Sequence, residues 1–204
     1  GLATAQDQRA MLMPVGRAGG LNASEAVEVV GDRAYVASGD AGFAVFDLSD
    51  PAVPRLLGSL DTPGAAQAVQ VVGTTAYVAD GDAGLQIFDV ANPAAPVLLG
   101  GFDTPHLTRH VQVAEGVAYV ADHTSGLQVI SVTNPAAPVR LGGRDTPDWA
   151  VSVQVEGNFA YVGDDTTGLL VMDVSNPAAP VLRRTMTVQG WVTDLQVVSN
   201  QCFV

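Results

Sequence analysis

The sequence predicts an all-β protein, and three observations agree on it. The same segments recur every 42 residues, each recurring segment is short and bounded by turn residues, and no stretch sustains the 3.6-residue period of a helix. The aromatic anchor of the repeat makes the period plain. Tyr35, Tyr77, Tyr119 and Tyr161 are 42 residues apart, and the next step lands on Phe203. Tandem units of this length that each hold four short strands are the sequence signature of propeller blades, so the expected architecture is a β-propeller of four-stranded 42-residue blades.

The second unit shows why each element is expected. Strand A, Ala68–Val72, alternates valines around Gln70, and strand B, Thr75–Ala79, carries the β-branched and aromatic residues that favour a pleated surface. A Gly-rich turn separates B from strand C, Leu85–Val90. Asn92-Pro93 then starts a turn, because the Asn side chain caps the backbone while Pro fixes φ. Strand D, Val97–Phe102, follows, and Asp103-Thr104-Pro105 closes the unit. Equivalent turns stand at Asp50-Pro51, Asn134-Pro135 and Asn176-Pro177, and equivalent closures at Asp61-Thr62-Pro63 and Asp145-Thr146-Pro147.

Residues 76–93, Ala-Tyr-Val-Ala-Asp-Gly-Asp-Ala-Gly-Leu-Gln-Ile-Phe-Asp-Val-Ala-Asn-Pro, resemble the LVIVD repeat of bacterial and archaeal propellers. The pentapeptides beginning at Phe43, Leu85, Leu127 and Leu169 correspond to its namesake motif. The resemblance extends over about residues 10–204. It implies the propeller fold and an extracellular or cell-surface location, and it implies no particular chemistry.

Counted in register, residue 1 falls at the start of a C strand and residue 204 in a B strand. The expected single domain, 1–204, then has partial C and D strands in residues 1–20, and full blades over about 21–62, 63–104, 105–146 and 147–188. Partial A and B strands in residues 189–204 complete it. Two strands from each end would make a fifth blade and cover open strand edges. Residues 1–8 match a C strand poorly, so the alternative is a piece of a larger propeller or assembly.

Composition narrows the partners. A formal net charge of −12, with nine Arg and no Lys, repels phosphate backbones and anionic lipid, so neither nucleic acid nor membrane insertion is expected. No apolar run approaches the ~18–20 residues of a membrane helix. No complete signal peptide stands at residues 1–20, although Ala3-Thr4-Ala5 reads like the small-residue end of one. The single cysteine, Cys202, excludes an internal disulfide framework and replaces an alanine of the repeat, as a small core residue would.

Comparison of blade with blade separates two faces. The C–D turns are near copies, Asn92-Pro-Ala-Ala-Pro96 against Asn134-Pro-Ala-Ala-Pro138 and Asn176-Pro-Ala-Ala-Pro180, whereas the D–A segments and the B–C turns diverge. In a four-stranded meander those two variable sets share one face, at the mouth of the central channel, where rigid scaffolds display binding residues. The candidate binding residues are therefore Glu25, Gln67, His106, Arg109, His110, Asp148, Trp149, Trp191 and Asp194. The two tryptophans occupy equivalent positions one blade apart and act either as packing residues or as interface anchors. Gln70, Gln112, Gln154 and Gln196, with Glu28 in the degenerate first unit, are expected to satisfy hydrogen bonds between blades.

All three histidines, His106, His110 and His123, fall in one blade beside Asp122, a donor set that suits zinc. Asp80-Gly81-Asp82-Ala83-Gly84 has a superficial calcium-loop spacing, but its counterparts keep only the final Gly, which reads as turn chemistry. No phosphate loop or Gly-x-Ser-x-Gly elbow occurs. The expected function is a non-enzymatic extracytoplasmic binding or scaffold module, without a cofactor, that engages a protein or glycan through the variable face. Two alternatives stand beside it. One is a metal-dependent hydrolase at the channel mouth, with Asp148 or Asp194 as base; the other is a purely structural segment of a large surface protein.

Overall fold

A computed structural model describes residues 24–198 and 201–204; the expected strands of residues 1–20 lie outside the described residues. Blade 1 is β1 (Ala26–Val30), β2 (Arg33–Ala37), β3 (Phe43–Asp47) and β4 (Arg55–Leu60). Blade 2 is β5 (Ala68–Val72), β6 (Thr75–Ala79), β7 (Leu85–Asp89) and β8 (Val97–Phe102). Blade 3 is β9 (His110–Ala114), β10 (Val117–Ala121), β11 (Leu127–Ser131) and β12 (Val139–Arg144). Blade 4 is β13 (Ala150–Glu156), β14 (Phe159–Asp164), β15 (Gly168–Asp173) and β16 (Val181–Met186). A two-stranded sheet follows, β17 (Gln196–Val198) with β18 (Gln201–Phe203), at the A and B positions of the next unit. Each four-stranded sheet is an antiparallel meander in chain order, so the all-β propeller fold read from the repeat is the fold observed. Among the described residues no helix is long and apolar enough to cross a membrane.

The repeat sets the packing as well as the strands. Blades stack face to face, so strands B and C are covered on both sides and read as nearly continuous apolar runs. Tyr77 and Ile87 of blade 2 pack with Val111, Val113 and Ala118 of blade 3. Tyr119 and Val129 pack likewise with Val153, Ala160 and Leu170 of blade 4. The recurring tyrosine is thus an interblade core residue. Every D strand carries one extra residue against its C strand, a β-bulge that bends this outer strand. The glycine after the bulge has a separate reason. A Cβ on Gly100 would lie 2.7 Å from the Pro135 carbonyl oxygen, in the C–D turn of the next blade, so only glycine lets the two backbones meet.

Hydrogen bonds join the A strands around the axis. The backbone N–H of Val71 donates to Glu28, that of Val113 to Gln70 and that of Val155 to Gln112. The fourth bond runs from the Val197 N–H to Gln154 Oε1 at 2.6 Å. The expectation that the repeated amides bond between blades therefore holds for Gln70, Gln112 and Gln154, with the Glu28 carboxylate in the first place; among the described residues Gln196 makes no such bond. Among the described residues blade 1 is packed by a neighbouring blade on one side. Val27 and Val29 are 61% and 57% exposed, although their equivalents in blade 3, Val111 and Val113, are buried.

Candidate binding face

The D–A loops that enter blades 2, 3 and 4 are each tied down by an Asp at the end of a B strand. Thr62 donates its hydroxyl to Asp80 Oδ1 at 2.6 Å, and the Gly64 N–H donates to Asp80 Oδ2 at 2.9 Å. In blade 3 the His106 N–H donates to Asp122 Oδ2 at 3.2 Å and the Thr108 hydroxyl to Oδ1 at 3.5 Å. In blade 4 the Asp148 N–H donates to Asp164 Oδ2 at 3.1 Å. Asp80, Asp122 and Asp164 are fully buried. Burial pushes the carboxyls of Asp80 and Asp122 above the usual range, and these hydrogen bonds oppose it. The backbone N–H just after each Asp-Thr-Pro thus fastens the loop to the blade it enters.

A second set of contacts brings the B–C turn of one blade against the loop that enters the next. Antiparallel bridges join Gly39 to Ala66, Gly81 to Thr108 and His123 to Ala150, and the Val192 N–H donates to the Asp165 carbonyl at 2.9 Å. The bridging residue takes a left-handed backbone. Gly39 and Gly81 have φ of 54° and 55°, and in blade 3 the same place, with φ of 46°, is filled by His123. A side chain there costs on the order of 1 kcal/mol that glycine would not incur.

What His123 gains is a stack. Its imidazole lies between His106, with centroids 5.1 Å apart and planes at 9°, and Trp149 of blade 4, with centroids 4.4 Å apart and planes at 23°. Trp149 is 45% exposed, so the slab ends on an indole open to solvent. Beside it a cleft of about 270 Å3 is lined by Arg109, His123, Trp149, Val151, Asp165 and Thr193 among others. Burial first, then the neighbouring His106 and Arg109, hold the His123 pKa below its ordinary value, against Asp148 and Asp165. The imidazole in the slab is therefore favoured in its neutral form.

The channel mouth adjoins this cleft and shares Arg109, Val151 and Thr193 with it. It is a cavity of about 450 Å3 lined from all five A-strand entries, with Glu25, Gln67, Arg109, His110, Thr193 and Asp194 as its polar groups. Arg109 Nη1 donates to Gln67 Oε1 at 3.1 Å. Burial lowers the His110 pKa, with Asp194 and a hydrogen bond to the Val153 backbone acting the other way. Its Nδ1 is buried without a hydrogen-bond partner among the described residues.

The LVIVD repeat model matches four times in succession, over residues 23–62, 63–104, 107–146 and 149–188. The chain belongs to the LVIVD-repeat family. Among curated proteins, none matches it. Solved structures of similar fold include the computationally designed Ika8 protein, at 14% identity and a TM-score of 0.70, covering 86% of this chain and 53% of that one. The designed Ika4 protein matches at 11% identity and a TM-score of 0.64, covering 80% of this chain and 99% of that one. A functionally unknown protein from Desulfotomaculum acetoxidans DSM 771 matches at 12% identity and a TM-score of 0.70, covering 89% of this chain and 61% of that one. The chain thus spans about half the length of Ika8.

These LVIVD repeats form a scaffold whose variable turns gather on one face, and the candidates divide over it. Glu25, Gln67, Arg109, His110 and Asp194 come together at the mouth, while His106 and Trp149 belong to the slab. Asp148 has its carboxylate on the Thr166 hydroxyl and its charge felt at His123. Trp191 is 79% exposed and lines neither cavity. The grouping of Asp122, His106, His110 and His123 as one metal site needs correction. Among the described residues no three His, Cys, Asp or Glu converge as a metal site. His106 and His123 face each other as stacked rings, His110 belongs to the mouth, and Asp122 is committed to Thr108 and the His106 N–H. The Asp80–Gly84 segment also lacks a calcium geometry, because Asp80 turns inward to Thr62 and Gly64. Two cleft residues, Asp165 and Thr193, were not singled out from the sequence. The signal was their register, for Asp165 stands one repeat after His123 and Thr193 two repeats after Arg109.

Proposed function

We propose that this protein is a non-enzymatic, extracytoplasmic binding module that engages a protein or glycan through the face formed by its B–C turns and D–A loops. One observation carries the reading: an indole half open to solvent, braced from behind by two stacked imidazoles, one of them on a residue that strains the backbone. Packing alone would be met by glycine at position 123, as in blades 1 and 2. Strain retained to brace an exposed aromatic points to display of that aromatic. A braced Trp loses little conformational freedom on binding, which is how a rigid anchor gains affinity. The extracytoplasmic placement rests on the resemblance of the repeat to surface-attached proteins.

The test is retention of cell-surface extract on the immobilised protein, comparing the native chain with Trp149→Ala and Trp191→Ala. The expected result is a specifically retained protein or glycan that is lost with Trp149→Ala. Equal retention by the native chain and Trp149→Ala would overturn the reading, and no specific retention by either would leave the repeats as structure alone.

A further inference from the structure

The binding reading leaves the ligand class open between protein and glycan, and the cleft beside Trp149 distinguishes them. Resting on that reading, we infer that the cleft takes the pyranose ring of a neutral glycan, laid with its C–H face on the Trp149 indole. Four chemistries compete for an open indole face. A cation is drawn to the ring quadrupole but meets the Arg109 guanidinium in the same cleft. An anion meets the Asp165 carboxylate there, with Asp148 close behind. A purely apolar group would bury both charges without a partner, which is costly. A neutral polyol satisfies all three constraints.

A pyranose has an apolar face of C–H groups and an edge of hydroxyls. The face covers the indole, hydroxyl protons are donated to Asp165, and hydroxyl oxygens accept from Arg109, whose guanidinium has five donors and commits one to Gln67. Hydrogen bonds to charged groups are the stronger kind, so these two residues fix the orientation of the ring. Thr193 adds a hydroxyl at the border with the channel mouth. The volume agrees with a ring-sized ligand. At about 270 Å3 the cleft is below the roughly 300–1,000 Å3 of pockets that enclose drug-sized molecules. A protein partner would use the exposed Trp149 as an anchor but would not need a cleft carrying both signs of charge at its side.

The experiment is a titration with maltose, cellobiose, lactose and chitobiose, followed by tryptophan fluorescence in the Trp191→Phe background, so that the signal reports Trp149. Choline and sialyllactose serve as the cationic and anionic probes. At least one neutral disaccharide should saturate the signal, and both charged probes should bind at least about tenfold more weakly, a difference of one decade in Kd. Ligand-detected NMR should show contact from ring C–H protons, lost in Trp149→Ala and retained in Trp149→Phe, which keeps an aromatic face. Absence of saturation by every neutral sugar, stronger binding of either charged probe, or an unaltered affinity in Trp149→Ala overturns the inference. If the sugars fail and the extract still yields a protein whose retention needs Trp149, the glycan assignment fails alone; if nothing depends on Trp149, the binding reading fails with it.

Discussion

Gln154 of blade 4 accepts a hydrogen bond at its Oε1 from the backbone N–H of Val197, 43 residues further along the chain and one blade away. The same relation joins Gln112 to Val155, Gln70 to Val113 and Glu28 to Val71. The ladder within each blade satisfies that blade's own backbone; these four bonds act between blades, close to the axis. They give each A strand a directional register against the next, which apolar packing alone does not supply.

Removing one of them should cost more than a surface bond does. Gln112→Ala leaves the Val155 N–H in the interface between blades 3 and 4 without its acceptor. The expected loss is about 1–3 kcal/mol, the penalty for a buried donor left unmade. Urea unfolding should show a lower midpoint with an unchanged slope, since the surface exposed on unfolding is the same. A loss below about 0.5 kcal/mol, as at ordinary surface sites, would show that the amide does not tie the blades.

Glu28 holds the place that the other blades give to Gln, and its carboxyl is pushed above its ordinary value of 4.5, first by burial, with the Val71 N–H opposing. A raised acid binds its proton more tightly in the folded chain, so stability falls as pH rises from 4.5 through the higher folded value, and the penalty is full above it. Glu28→Gln keeps the acceptor and removes the charge. It should raise the melting temperature at pH 7, with the gain shrinking as pH falls toward 4.5. A gain that is constant with pH, or a loss at pH 7, would contradict the burial argument.

Position 123 separates strain from stacking. His123→Gly relieves about 1 kcal/mol of left-handed backbone strain and gives up two ring contacts, each worth about 0.5–1.5 kcal/mol, so the net loss should lie between about 0 and 2 kcal/mol. His123→Ala gives up the rings and keeps the strain, and should be the less stable of the two variants by about 1 kcal/mol. Both should weaken ligand binding at Trp149, whose brace is gone. Chemical denaturation of the pair gives the order. Equal stability of the two variants would mean that the φ of 46° carries no cost.

That slab also shows where sequence reading stops. Strand order, the repeating tyrosine and the bonding amides were legible because each recurs at a fixed interval, although the tyrosine's place between blades was not. His106 and His123 recur nowhere, and Trp149 recurs once, as Trp191. His106, His123 and Trp149 stand at three different register positions and meet only because the His123–Ala150 bridge folds one blade's turn onto the next blade's loop. Asp122 was misread for a related reason. A carboxylate spent on backbone and threonine donors looks, in a string of residues, the same as one available to a cation.

His110 supplies a pH test of the channel mouth. Burial holds its pKa below the ordinary 6.5, despite Asp194 and the Val153 backbone, and its Nδ1 is buried without a partner among the described residues. For a base whose folded value is depressed, the native chain is at full stability above 6.5, where both states are neutral. As pH falls through 6.5 the unfolded chain takes up a proton that the folded chain refuses, and stability drops until the lower folded value is reached. The raised carboxyls of Glu28, Asp80 and Asp122 act in the opposite sense at more acid pH, so the native profile alone does not isolate the imidazole. The difference between the native chain and His110→Gln does, because the carboxyls cancel. That difference should move in favour of the variant as pH is lowered from 7.5 to 5.5, roughly one unit either side of an unperturbed imidazole. A flat difference would place His110 in solvent, free to protonate, and would remove it from the wall of the mouth.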